Sequence, residues 1–577
     1  MRWAGICLAA VIVTVTQATP AGAKTYGEGK ISPSLLALVR SHPQDDFAVI
    51  VRATAKRTGH HAERAAEAVG RANGKTTRAL PIVGGASARL SGEDLLALAK
   101  DADVQYISSD DVITATFDPQ IGSALAGNPA VVEVGAPEVW RQLGVTGNGI
   151  GVAILDSGIA SHPDLAGRIV ASVDFTGSGS VSSGQGSGSY GVPLVAPADP
   201  GGHGTHVAGL VAGDGTASGG LYAGVAPRAN LIDVRVITSS GSTTVSTLIA
   251  GMQWVLSHRS TYNIRVVNLS AGGPATVSYR DDPLATAAEV LVFAGIAVVV
   301  SAGNHGPHHS TITSPGTDPF VITVGAIDDS GTGGTDDDAL ASWSSQGPTP
   351  VDGLAKPDLV APGRRVVSLR SPGSTLDREL TDRLVSGLDP LTPAYFRLSG
   401  TSMAAPIVSG VVALMLERSP TLTPAQVKDR LKTSATALGY GSPDATGSGL
   451  VNALAAVTAT GQGDAPVDEV SAGFASEMYP FVYGQPLAWR DLAFNGGLDS
   501  NGVAWTDVSW ANVTWDLVTW ENLSWETFNW SGVNWEDISW EGITWEDISW
   551  ELTSGKDKGK GKNKGLGSRV SLWGALD

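Results

Sequence analysis

The sequence predicts an α/β protein built in three layers, a parallel sheet with helices on both faces. A small α+β domain precedes it and a short repeat of β character follows it. Three observations predict this. Between Gly151 and Val324, short apolar runs alternate with longer helical ones, and apolar strands joined through helices form parallel sheets covered on both faces. Between Asp46 and Ile107 the elements run β-α-β-β-α-β. Between residues 503 and 551 a tryptophan recurs at every fifth position.

The elements follow in order. Met1-Arg2 and the apolar run Ala4–Val15 lead to Ala21-Gly22-Ala23, a signal peptide with a small-residue cut before Lys24. The only cysteine, Cys7, lies inside it. Asp46–Arg52 reads as a strand, Ala62–Val69 as an alanine-rich helix, and Ala79–Leu90 as strand with a break at Gly84-Gly85. Ser91 caps a second helix, Leu95–Lys100, and Val104–Ile107 closes the set. That order is ferredoxin-like. It fades between Asp110 and Pro129.

The next region supplies strands at Gly151–Leu155, Leu231–Val236, Val266–Leu269, Ala297–Val300 and Phe320–Val324. Helical stretches fall at His203–Ala212, Val245–Leu256, Pro283–Phe293 and Ser402–Glu417. Thr176–Gly191, Ser330–Gly334 and Ser371–Pro393 read as insertions. The domain closes near Val451–Thr460, and residues 461–502 read as a linker. Lys556–Lys564 begins a basic, Gly-rich tail spanning 552–577. A net charge of −18 argues against nucleic acid, which needs basic patches. No second apolar run reads as long and charge-free enough to span a bilayer.

Four stretches carry chemistry. Gly400-Thr401-Ser402-Met403-Ala404-Ala405-Pro406 places a serine at the start of an apolar helix, where free N–H groups and the macrodipole favour a negative oxygen. Pro406 leaves the Ser402 carbonyl without an intrahelical donor. Val152–Asp156 is an apolar strand ending in a carboxylate, Gly201–Gly209 carries His203 among glycines, and Val298–Asn304 ends a strand in an amide. Each has a plain structural reading: a capping serine, a turn aspartate, a histidine in a loop or in a metal pair with His206. Together they supply nucleophile, base, orienter and oxyanion donor in the order Asp, His, Ser.

These motifs, with Asn268–Gly273, resemble the subtilisin (subtilase) family of secreted serine peptidases. The resemblance implies an endopeptidase with catalytic Asp156, His203 and Ser402, Asn304 in the oxyanion hole, and Ser270, Ala271 and Gly272 as the substrate-binding strand. It implies an inhibitory prodomain, residues 24–118, whose C-terminal end lies in the groove of a catalytic domain, residues 119–460. Protein or peptide substrates and the chain's own prodomain are the expected partners, and the expected location is extracellular. No cofactor is needed for the chemistry. Structural calcium is common in the family, but no ligand set stands out here. Ala271 replaces a larger apolar residue often found there, so side-chain preference does not carry over. The competing reading is a surface-binding protein on an inactive scaffold of this type.

In the repeat, an apolar residue stands two places before each tryptophan, from Val503 to Ile548. A period of five gives neither a helix nor one long strand a single apolar face. A chain turning a corner after each unit would aim both residues inward, as in a pentapeptide-repeat solenoid. Stacked hairpins, a disordered acidic tail, and exposed tryptophans docking on glycan or a cell surface are the rivals. His305, His308 and His309 read as solvated loop histidines.

Overall fold

The computed structural model describes residues 27–54, 60–115, 128–177, 192–194 and 197–460. The leader, residues 116–127, most of the loop 176–191, the linker, the tryptophan repeat and the basic tail lie outside the described residues.

In the N-terminal unit, α1 (Pro33–Ser41), α2 (His61–Arg71) and α3 (Gly92–Leu98) pack on four strands, β1 (Asp46–Ala53), β2 (Lys75–Leu80), β3 (Gly85–Ser91) and β4 (Val104–Ser109). The sheet is antiparallel in the order β2-β3-β1-β4, as the ferredoxin-like reading requires. Ser91 caps α3 by accepting the Asp94 N–H. Ala79–Leu90 is not one broken strand but parts of two, separated by the 3-10 turn Pro81–Val83. Helix α1 was not anticipated. Its proline start and its buried Leu35 and Val39 are spaced four apart on one face.

The remaining strands, in chain order, are β5 (Val112–Ala115), β6 (Gly151–Asp156), β7 (Ile169–Asp174), β8 (Val192–Pro193), β9 (Asn230–Arg235), β10 (Ser242–Thr244), β11 (Ile264–Leu269), β12 (Ala271–Gly272), β13 (Ala297–Ser301), β14 (Ile322–Asp328), β15 (Ala339–Leu340), β16 (Leu359–Pro362), β17 (Val366–Leu369), β18 (Leu384–Val385) and β19 (Tyr395–Leu398). The remaining helices are α4 (Pro129–Glu133), α5 (Ala136–Leu143), α6 (His203–Ala212), α7 (Val245–His258), α8 (Pro283–Phe293), α9 (Thr375–Glu379), α10 (Thr401–Arg418), α11 (Pro424–Thr433), α12 (Pro443–Thr446) and α13 (Ala453–Thr458).

A nine-stranded sheet runs β15-β14-β13-β11-β6-β9-β7-β8, with β16 also on β14. All its pairings are parallel except the short edge strands β8 and β15. Every residue of β6 and of β13 is buried, as expected for strands covered on both faces. One face packs on α6 and α10 and the other on α7 and α8. From β6 the chain builds β7, β8 and β9 on one side and later reaches β11 on the other, so β6 is the topological switch point, outside whose carboxyl end such sheets bind ligands.

Helix α10 corrects one expectation. It is long and apolar enough to cross a membrane by composition, yet it is buried inside the fold. Its residues Thr401–Leu416 are all core.

Candidate active site

Asp156 ends β6 and His203 begins α6, so the carboxyl edge of the sheet and a helix start supply the first pair. His203 Nδ1 lies 2.8 and 2.9 Å from the two Asp156 oxygens. The Ser157 N–H also donates to Asp156 Oδ1, at 2.7 Å. The close approach of helix to strand explains the glycine after the histidine. A Cβ on Gly204 would lie 2.2 Å from the Gly158 carbonyl oxygen and 3.0 Å from Asp156 Cβ. Burial works against a charged His203, but the Asp156 charge and hydrogen bond, with help from Asp199, outweigh it and raise its pKa above the ordinary value.

Ser402 sits in the first turn of α10. Gly400 holds φ 155° and ψ 160°, a region open essentially to glycine alone. The Ser402 hydroxyl donates to the Ser270 carbonyl at 3.0 Å, and the Ser270 hydroxyl donates back to the Ser402 carbonyl at 3.0 Å. That second bond uses the acceptor freed by Pro406. Asn268 steadies Ser270 from behind: its Nδ2 donates to Ser270 Oγ at 2.9 Å and its Oδ1 accepts from Ser409 at 2.8 Å.

Asn304 follows the end of β13. Its Oδ1 accepts from the Thr401 N–H at 3.0 Å and the Thr401 hydroxyl at 2.9 Å. This fixes which way the amide faces. Its Nδ2 is buried and has no hydrogen-bond partner among the described residues, and its Oδ1 is held by Thr401, the residue before Ser402.

Ala271 and Gly272 form β12, and that edge is already paired. β5 runs antiparallel to it, with Ala115 opposite Ala271 and Thr114 opposite Gly272. On its other side β5 pairs antiparallel with β10. Residues 112–115 therefore lie as the middle strand of three, beside the Ser270 that Ser402 touches. The N-terminal unit is anchored nearby. Asp110 accepts from the Ser246 N–H at 2.9 Å and the Ser246 hydroxyl at 2.7 Å, at the start of α7. Ile50, Leu80, Ile82, Val83 and Ile113 join the core formed with α7 and α8.

The other histidines play no part in this constellation. His206 is buried with Nε2 3.2 and 3.1 Å from the Val366 and Phe396 carbonyls. Burial, with His203 nearby, lowers its pKa to about 3, which suits a neutral ring bridging two carbonyls. His305, His308 and His309 lie on an exposed loop. Among the described residues no three His, Cys, Asp or Glu side chains gather as a metal-binding group.

Sequence reasoning missed Asp199, Thr401 and the β5 pairing. Asp199 accepts five hydrogen bonds, from Ser157, Gly201, Gly202 and both donors of Thr205. Its place in Asp-Pro-Gly-Gly-His reads as an ordinary turn, and only its spacing of four before His203 gives a signal. Ser157 is tied to Asp199 at 2.7 Å and accepts the Gly204 N–H at 3.0 Å, so its hydroxyl is structural.

The comparisons with known proteins agree with this geometry. The model of the subtilase family matches residues 147–449, just over half the chain. Serine protease AprX of Bacillus subtilis is 43% identical over 315 residues, covering 54% of this chain and 66% of AprX, a little under two thirds of its length. Subtilisin E of the same organism is 34% identical over 389 residues, covering 66% of this chain and 83% of subtilisin E. Among solved structures, fervidolysin from Fervidobacterium pennivorans, described as a keratinolytic enzyme related to subtilisin, has a TM-score of 0.54 and 26% identity, covering 74% of this chain and 62% of fervidolysin. The chain belongs to the subtilase family of serine peptidases.

Proposed function

We propose that this chain is an extracellular serine endopeptidase made as a self-inhibited, self-processing precursor. Ser402 Oγ is the nucleophile and His203 takes its proton as the bond to the substrate carbonyl forms. Asp156 holds the imidazole tautomer and stabilises the imidazolium. The oxyanion receives the Ser402 N–H and Asn304 Nδ2. His203 then passes the proton to the leaving amine, and water releases the acyl group by the reverse sequence.

The observation that carries this reading is the antiparallel pairing of β5 with β12 beside Ser402. A peptide substrate bound as an added strand would use the same backbone groups, which accommodates many sequences. Here the chain's own residues 112–115 hold that place, with residues 24–118 as the inhibitory prodomain. The cut falls between Asp110 and Pro129. Export through the leader at residues 1–23 accounts for a mature chain without cysteine, suited to an oxidising compartment.

The rival, a binding protein on an inactive scaffold, predicts an inert serine. A fluorophosphonate probe should label Ser402 in the wild-type chain and not in Ser402→Ala, and the wild-type chain should hydrolyse casein. Absence of labelling and of hydrolysis in the wild type would remove the peptidase reading.

A further inference from the structure

We propose that Ser371–Glu379, in the insertion between β17 and β19, is a brace that positions His203 through Asp199. The inference rests on His203 being the general base.

Helix α6 starts at His203 itself, and its N-cap, Gly202, has φ 97° and offers no side-chain cap. The first turn of a helix has free N–H groups and frays unless they are bound. Asp199 fills this role from four residues upstream. Its carboxylate accepts the Gly201 and Gly202 N–H groups at 3.1 and 2.7 Å and the Thr205 N–H and hydroxyl at 2.8 and 2.7 Å. It is 5% exposed, and a negative group at a helix N-terminus is favoured by the dipole.

The insertion then holds this loop from outside. Ser371 Oγ donates to the Asp199 carbonyl at 2.8 Å. The Thr375 N–H donates to the Pro200 carbonyl at 2.8 Å, and the Leu376 N–H to the Gly201 carbonyl at 3.1 Å. A Cβ on Gly202 would lie 2.4 Å from Ser374 Oγ, so the loop and the insertion are in contact at all four residues from 199 to 202. The brace is itself rigid. Arg370 binds both Asp377 oxygens, at 2.6 and 3.1 Å, and Asp377 accepts the Gly373 N–H at 2.7 Å. Asp156 thus fixes the ring of His203 while the brace fixes the backbone that carries it. A misplacement of the order of 1 Å costs about a hundredfold in rate.

The test measures fluorophosphonate labelling of the full chain as Asp199→Asn, Asp377→Asn and, in the same insertion but away from the loop, Asp389→Asn. Both the rate constant per competent site and the labelled fraction are read. The brace predicts rate constants about tenfold or more below wild type for the first two, KM for a peptide within twofold, and no change for Asp389→Asn. Asp377 touches neither Asp199 nor His203, so its variant carries the test if Asp199→Asn does not fold. A merely structural role would lower the labelled fraction and leave the rate constant intact. That result, or rate constants within twofold of wild type, would overturn the proposal. A wild-type chain that does not label would overturn the peptidase reading instead.

Discussion

The two sheets of this chain solve the burial problem differently. The large parallel sheet is covered on both faces by its own helices. The small sheet is covered by its own helices on one face only. Strand β1 shows this within three residues: Val49 and Val51 belong to the core under α1–α3, while Ile50 between them belongs to the core of the neighbouring unit. A strand's period of two divides its side chains between faces, so β1 is half core and half interface. Leu80, Ile82 and Val83 extend the interface half. The large sheet is thus covered by helices of its own, while the small one completes its second face against the neighbouring unit, which agrees with the proposed role of residues 24–118 as a removable prodomain.

Four expectations sharpen this contrast, the largest first. Asp358 lies 2.8 Å from Lys356 and 2.9 Å from Lys428, and Lys356 is 2% exposed. Asp358→Asn leaves a buried charge unpaired and should cost about 3–5 kcal/mol in the unfolding of the catalytic part, read by denaturant titration. Burial alone would raise the Asp358 pKa, but the two lysines outweigh it and hold it at about 2. Its folded pKa is below the unfolded one, so its contribution is present above about pH 4 and lost as pH falls through about 2. Stability in wild type independent of pH between 4 and 2 would contradict this.

Asn304→Ala should lower kcat by about 10²–10³-fold, the loss that follows removal of one such donor in this family, with KM little changed. A loss below threefold would mean that the free amide is not the oxyanion donor. Ile82→Ala removes apolar area from the interface half only. Isolated residues 24–118 should inhibit the mature enzyme, and this change should weaken inhibition by about thirtyfold or more, the ~2 kcal/mol lower end for such truncations. Unaltered inhibition would show that the unit does not grip through this face. The smallest effect is in pH. Because His203 is raised from its ordinary value, activity should climb with pH through a midpoint above about 6.5 as the imidazolium loses its proton. A midpoint clearly below that value would contradict the paired geometry.

The contrast also explains what the sequence disclosed. Helices α6 and α8 have the bounds that their apolar runs and flanking residues indicate, because a segment buried all round carries a continuous signal. Asp156, His203, Asn304 and Ser402 stand in motifs that are themselves local. Strand β5 was illegible: Val112 is 63% exposed, the strand has four residues, and its partners lie more than a hundred positions away. Register of that kind is set by tertiary pairing and leaves no periodicity. The brace was hidden for the same reason, since Ser371 and Asp199 are 172 residues apart. The separate small sheet β17-β19-β18 is equally faint in the sequence.

In the proposed precursor, Ser402 acts on peptide bonds and residues 112–115 occupy its substrate groove until the chain is cut. Purification of the wild-type and Ser402→Ala chains side by side, followed by intact mass and N-terminal sequencing, tests it most directly. The wild-type chain should be cleaved between Asp110 and Pro129, and the variant should stay uncut at that place. A Ser402→Ala chain cleaved in the same interval would contradict self-processing by this site.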